Sequence, residues 1–308
     1  MTEAVAVGIA GCGRVVERGY RPAIAGTTRL RLAGVADPEH GRRARIAPGV
    51  PGFGTVDELL GSVPLDLLVV ATPPPLHEPT ASSAASAGVR AIVEKPPAGD
   101  AEGAAALVAL DPQPWIGFNR RFEPELGRLR DDPATPGREI EVVLSIDVRR
   151  WRAFGGSPGP LVDLGSHAVD VVCWTTGRAP RRVRCEPGRR GFQSFVLDLD
   201  GAVGRVRLSH EAGWHELVRS GGATYLRRGG RVDRARRAVS RRPGPLVETL
   251  RAELEAAGRA VRGGTADDRL GSAAEGVLVM ATLDAMALAA RDPGAWVPVE
   301  DRMASCSR

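Results

Sequence analysis

Lys95 stands out among the groups that could do chemistry. The chain carries 42 lysines and arginines, and Lys95 is the single lysine. Arginine stays charged at any working pH, whereas a desolvated ammonium can release a proton and presents a compact donor. In an arginine-rich chain, a lone lysine is either a leftover surface residue or a candidate for proton transfer. It sits in "VEKPP", residues 93–97, after Glu94 and before Pro96. A second set lies in "GPLVDLGSHAVDVVCWTTG". There Asp163, His167, Asp170 and Trp174 are spaced +4, +3 and +4, so they form one stripe of a helix. An imidazole in such a stripe is suited to general acid/base work near neutral pH. The flanking positions are apolar, so the helix is expected to be buried, with its polar stripe facing a cavity, matched partners or water. Asp and His at i, i+4 could share a metal, but no third ligand of matching spacing appears and none is expected.

A third set binds rather than reacts. "GIAGCGRVV" places Gly11 and Gly13 after a short apolar run and at the start of a helix. The first glycine permits a tight turn. The second lets backbone approach a pyrophosphate at the helix N-terminus, where Arg14 and Val15 follow. The third fingerprint position is Val16 instead of a small residue. Asp37 lies 24 residues beyond Gly13, at the end of a second apolar run, where an acid accepts hydrogen bonds from a ribose diol. An acid there repels a 2′-phosphate, so NAD(H) is preferred, with NADP(H) possible because Arg42 and Arg43 are near. "ATPPPLHEP" and "VEKPP" each follow a buried strand pattern. Ligands of open parallel sheets bind beyond the carboxyl ends of strands. Thr72, Pro73, His77, Glu94 and Lys95 are therefore expected near the nicotinamide end of the cofactor.

The elements that must hold these residues are legible. Over residues 1–120, "AVAVGIAG", "RLRLAGVAD", "LDLLVVAT", "VRAIVE" and "PWIGFN" read as strands. Helices are expected near 14–25, 38–46, 56–61, 77–88 and 101–110. Such alternation predicts a doubly wound parallel sheet, a Rossmann domain. From 121 to 300 the pattern becomes a long strand in "REIEVVLSIDVRRW", a helix over 160–176, four further strands with a turn at Asp200–Gly201, helices near 245–262 and 269–291, and a last strand in "AWVPVE". That predicts a second α/β domain with an open, mainly antiparallel or mixed sheet. Residues 301–308 are expected to be a disordered tail.

Composition bounds the rest. With 308 residues and 43% hydrophobic content, two ordinary globular domains are expected. No apolar run is long enough for a membrane helix. The opening "MTEAVAVGIAGCG" carries no basic leader, so no signal peptide is expected and the location is read as cytoplasmic. Cys12, Cys173, Cys185 and Cys306 are scattered, as suits free thiols. The net charge of +5 lies in arginine clusters at 41–45, 181–190 and 227–242 without interleaved aromatics. No nucleic-acid partner is expected from that pattern.

In order along the chain, "GCGRV", "GVADP", "ATPPPLH", "VEKPP", "GFNRRFEP" and "GGSPGPLVDLGSHAVD" resemble the Gfo/Idh/MocA oxidoreductases, named for glucose–fructose oxidoreductase, inositol dehydrogenase and the rhizopine-catabolism protein. The resemblance implies a Rossmann domain followed by a substrate and oligomerisation domain, in a homodimer or homotetramer. It implies hydride transfer between NAD(P) and a secondary hydroxyl or carbonyl of a sugar, amino sugar or cyclitol. It implies that His167 is the general acid/base, that Lys95 steadies the reacting oxygen and that Asp163 orients His167 or binds a neighbouring hydroxyl. It also implies substrate contacts from Asn119, Arg120 and Arg121, with a structural role equally open for Arg121. Two other uses of the fold remain open: a retained NAD serving transient oxidation in epimerisation, elimination or glycosidic cleavage, and a non-catalytic NAD-binding regulator. Val16 and a second proline, Pro97, depart from the family pattern.

Overall fold

A computed structural model describes residues 3–135, 139–147, 159–187, 191–211, 213–229 and 243–299. The chain folds as two compact units, Met1–Phe122 with Pro243–Val277, and Glu123–Arg242 with Leu278–Arg308. The foreseen "VRRW" end of the long strand and the tail 301–308 lie outside the described residues. Among the described residues no helix is long and apolar enough to cross a membrane.

The strands of the first unit are β1 (Val5–Ala10), β2 (Leu30–Ala36), β3 (Gly52–Phe53), β4 (Leu67–Val70), β5 (Ala91–Val93), β6 (Trp115–Ile116) and β13 (Gly271–Ser272). Their order is β3-β2-β1-β4-β5-β6-β13. β1 to β6 are parallel and β13 pairs antiparallel to β6. Every residue of β1 and β4 is buried, as continuous apolar runs require in a sheet covered on both faces. The strand order reverses between β1 and β4, which puts Gly11 and Ala71 side by side at the carboxyl edge. The helix foreseen over 14–25 is divided. A π-turn spans Val16–Tyr20 and an α-helix spans Arg21–Ala25. Val16 is fully buried in this turn, where the fingerprint has a small residue.

The segment Pro243–Val277 belongs to the first unit, whereas the sequence reading placed it in a continuous domain over 121–300. The reason is an apolar stripe. Leu250, Leu254 and Ala257 of the helix Pro245–Val261 enter the core formed by Val5, Tyr20, Ile24 and Leu30. A side-chain carbon on Gly19 would come 2.6 Å from Leu250, so this glycine admits the helix. The helix foreseen from 269 starts at Ala273. Residues 271–272 pair with β6, and Ser272 and Glu275 bond reciprocally as a capping box that sets the start.

The strands of the second unit are β7 (Ile140–Ser145), β8 (Arg182–Glu186), β9 (Gln193–Asp198), β10 (Val203–Ser209), β11 (His215–Ser220), β12 (Ala223–Gly229) and β14 (Trp296–Pro298), in the order β12-β11-β7-β10-β9-β8-β14. Among the described residues of this unit, only β7 and β10 pair in parallel. β11 was not foreseen. It carries a half-buried Glu216, 3.8 Å from Arg228, which leaves "HELVRS" without an apolar alternation to read. The helix Pro160–Thr176 packs on this sheet, with Gly165 beside Leu208 and Val172 beside Gly204. It ends at Gly177, φ 65°, a left-handed cap that glycine adopts without strain.

Candidate active site

The first unit builds a cradle mainly from backbone. Gly11 has φ +92°, and a side-chain carbon there would sit 2.5 Å from the Ala71 carbonyl oxygen. A carbon on Gly13 would meet no atom within 4 Å, so open space lies in front of the loop. Asp37 is 6% exposed. Its Oδ2 accepts from the Cys12 N–H at 2.8 Å and its Oδ1 from the Glu39 N–H at 2.9 Å. It therefore ties the glycine loop to the end of β2, and each oxygen keeps a lone pair for a diol. Arg42 pairs with Glu39 at 2.6 Å and Arg43 donates to the Asp37 carbonyl. Burial, with Asp37 beside it, pushes the Cys12 thiol up to about 11, so this loop cysteine stays protonated. Thr72 Oγ1 is buried with no hydrogen-bond partner. Such an orphan hydroxyl is costly unless a ligand satisfies it. Arg14 and Val15 are half-exposed after Gly13, and Pro73 is exposed. These residues fit a dinucleotide.

The loop after β5 carries the lysine. Glu94 Oε1 accepts from the Tyr20 hydroxyl at 2.8 Å, and its Oε2 accepts from the Lys95 N–H at 3.1 Å. Burial raises the Glu94 carboxyl above its usual range against the pull of Lys95. Burial, then the charges of Glu94 and Glu253, raise the Tyr20 phenol well above 10. Lys95 itself is half-buried, and the Lys95–Pro96 bond is cis. His77 lies between the Thr72 loop and the Lys95 loop. It is 1% exposed, with Nδ1 3.0 Å from the Pro96 carbonyl and Nε2 2.8 Å from the Thr72 carbonyl. Both ring nitrogens face main-chain carbonyls, so His77 ties the loop after β4 to the loop of Lys95.

The second unit contributes a graded stripe. Trp174 is buried under the Arg130 guanidinium, 4.7 Å from the ring centroid, and Asp170 is 2% exposed. His167 and Asp163, one and two turns nearer the helix start than Asp170, are half-buried and reachable. A residue that sequence reading missed joins them. His210, directly after β10, places Nε2 3.3 Å from Asp163 Oδ2, outside good hydrogen-bond alignment. Among the described residues no cluster of three or more His, Cys, Asp or Glu could hold a metal.

Residues 5–113 match the profile of a family described as an oxidoreductase family with an NAD-binding Rossmann fold, GFO_IDH_MocA. The rhizopine catabolism protein MocA of Rhizobium meliloti is 31% identical over 297 residues, covering 85% of this chain and 90% of that protein. The chain belongs to this oxidoreductase family. Inositol 2-dehydrogenase of Corynebacterium glutamicum is 27% identical over 188 residues, 58% of this chain and 56% of that enzyme. The crystal structure of myo-inositol 2-dehydrogenase from Lactobacillus plantarum has the same fold, with a TM-score of 0.79, 16% identity, and coverage of 96% and 100%.

In this NAD-binding oxidoreductase, Asn119 and Arg121 are both tied into the first unit. Asn119 is 7% exposed and donates to Thr249 Oγ1 at 2.8 Å. Arg121 is 2% exposed, pairs with Glu275 at 2.8 Å and stacks over Phe118. A buried guanidinium needs such a partner, which explains its type. Arg120 is half-buried. His210 left one faint signal: an imidazole directly after an alternating strand, in a chain with five histidines.

Proposed function

We propose that this oxidoreductase transfers hydride between NAD and a secondary hydroxyl or carbonyl of a sugar, amino sugar or cyclitol. The observation that carries the reading is the reachable Asp163 and His167 on one helix face, with His210 beside Asp163. That set suits removal of a hydroxyl proton, the half of alcohol oxidation the protein must perform. Bound NAD supplies the hydride acceptor. His167 takes the hydroxyl proton, and Asp163 orients the imidazole or holds a neighbouring hydroxyl. Lys95 donates to the reacting oxygen and steadies its developing charge. The open front of the Gly11–Gly13 loop takes the pyrophosphate, Asp37 the ribose diol, and the unpaired Thr72 hydroxyl a further oxygen of the cofactor. NAD is favoured over NADP because Asp37 meets the ribose while Arg42 and Arg43 are engaged on Glu39 and the Asp37 carbonyl. The relatives named inositol 2-dehydrogenase support a polyol substrate.

The test is a panel of cyclitols, hexoses, amino sugars and nucleotide sugars, each with NAD and NADP, read by nicotinamide absorbance. Turnover of at least one polyol with NAD is expected. Absence of turnover across the panel, with NAD bound, overturns the reading.

A further inference from the structure

His77 faces two groups that can only accept hydrogen bonds. Its Nδ1 lies 3.0 Å from the Pro96 carbonyl, in the loop of Lys95, and its Nε2 lies 2.8 Å from the Thr72 carbonyl, in the loop after β4. A neutral imidazole has one N–H, so it can satisfy one carbonyl and must turn a lone pair toward the other. Only an imidazolium donates to both. Burial disfavours that charged form and outweighs the carbonyls of Thr72, Pro96 and Pro97, which favour it. The ring is therefore mainly neutral at neutral pH and always one bond short. Its two tautomers differ in which loop they hold.

We propose that His77 is a positioning residue, a tautomeric latch that joins the Thr72 loop to the Lys95 loop and lets cofactor binding choose between them. With a proton on Nε2 it fixes the Thr72 carbonyl, and with it the orphan hydroxyl that meets the cofactor. With a proton on Nδ1 it fixes the Pro96 carbonyl beside Lys95. Bound NAD fills the space in front of the Thr72 loop and selects the Nε2–H form. The Lys95 side of the argument rests on the function proposed above; the cofactor side needs only the family's NAD binding.

Nitrogen-15 NMR of the histidine rings distinguishes the two neutral tautomers and the imidazolium. In the free protein at neutral pH, the His77 nitrogens should report a mixture of tautomers, and saturating NAD should convert it to the Nε2–H form. A single tautomer unchanged by NAD overturns the latch. Calorimetry on variants supplies the second arm. His77→Leu removes both contacts and should weaken NAD about tenfold, the effect of about one lost hydrogen bond. His77→Gln keeps one donor and should recover most of that loss. Wild-type affinity in His77→Gln and in a folded His77→Leu overturns the proposal. Should His77→Leu not fold, the glutamine variant and the NMR result decide. Neither arm uses a sugar, so a failed substrate panel leaves this inference standing, and a fixed tautomer leaves the proposed reaction standing.

Discussion

The two units solve the problem of placing polar groups at a site in opposite ways. The first unit uses main chain: a positive φ at Gly11, open space at Gly13, and carbonyls and N–H groups tied by Asp37 and His77. The second unit uses side chains on one helix face, with His210 brought to Asp163 from the end of a strand. Backbone cradles are set by chain geometry, so they should fail through conformation and affinity. A side-chain site should fail in turnover while the fold persists.

That contrast can be broken most severely at the reacting groups. His167→Ala should lower kcat about 10²-fold or more, with NAD affinity and thermal unfolding near wild type, in steady-state kinetics and calorimetry. Lys95→Arg should lose nearly as much as Lys95→Met, because a guanidinium is larger and effectively never deprotonated. A lysine variant that turns over normally would remove Lys95 from the chemistry. The glycines test the cradle. Gly11→Ala forces φ +92° and a clash with the Ala71 carbonyl, so it should cost about 1–3 kcal/mol in denaturant unfolding. Gly13→Ala meets no protein atom, so stability should hold while NAD weakens at least about tenfold. His210→Phe should cut kcat/KM about tenfold without altering NAD affinity, and its effect should largely vanish in an Asp163→Asn background. Independence of the two changes would show that His210 does not work through Asp163.

The smallest effect concerns Tyr20. Its phenol is raised well above 10, so the folded protein keeps a proton that the unfolded chain loses once pH passes about 10. Stability is fully present below that pH and falls as pH rises above it. Tyr20→Phe should cost about 1 kcal/mol at neutral pH, since Glu94 loses a bond, and should flatten the alkaline decline seen in urea titrations at several pH values.

The same contrast explains what could be read from the chain. Gly11, Gly13 and Asp37 were legible because turn, strand and acid follow one another at short range. Asp163 and His167 were legible because helical period alone puts them on one face. His210 was not, because its approach to Asp163 depends on how β10 pairs with β7, a partner more than 50 residues away in sequence. The partners of Asn119 and Arg121 were not legible, and Arg121 was read as either substrate contact or structural, because nothing local shows Thr249 or Glu275 arriving beside them. His77 was placed in the right loops, but its tie between them was not legible, since only distances show that both its nitrogens meet carbonyls. The return of Pro243–Val277 to the first unit was hidden for a similar reason: an amphipathic helix does not declare which core it completes.

That return bears on how the protein is made. Val5 and Tyr20 leave the ribosomal tunnel long before the helix that packs against them, Pro245–Val261. During synthesis the nascent Rossmann sheet must wait with one apolar flank uncovered while Glu123–Arg242, itself short of Leu278–Arg308, emerges. A ribosome stalled before residue 243 should therefore display a chain that chaperones hold and that does not yet retain NAD, and release of about 35 further residues should complete the nucleotide unit.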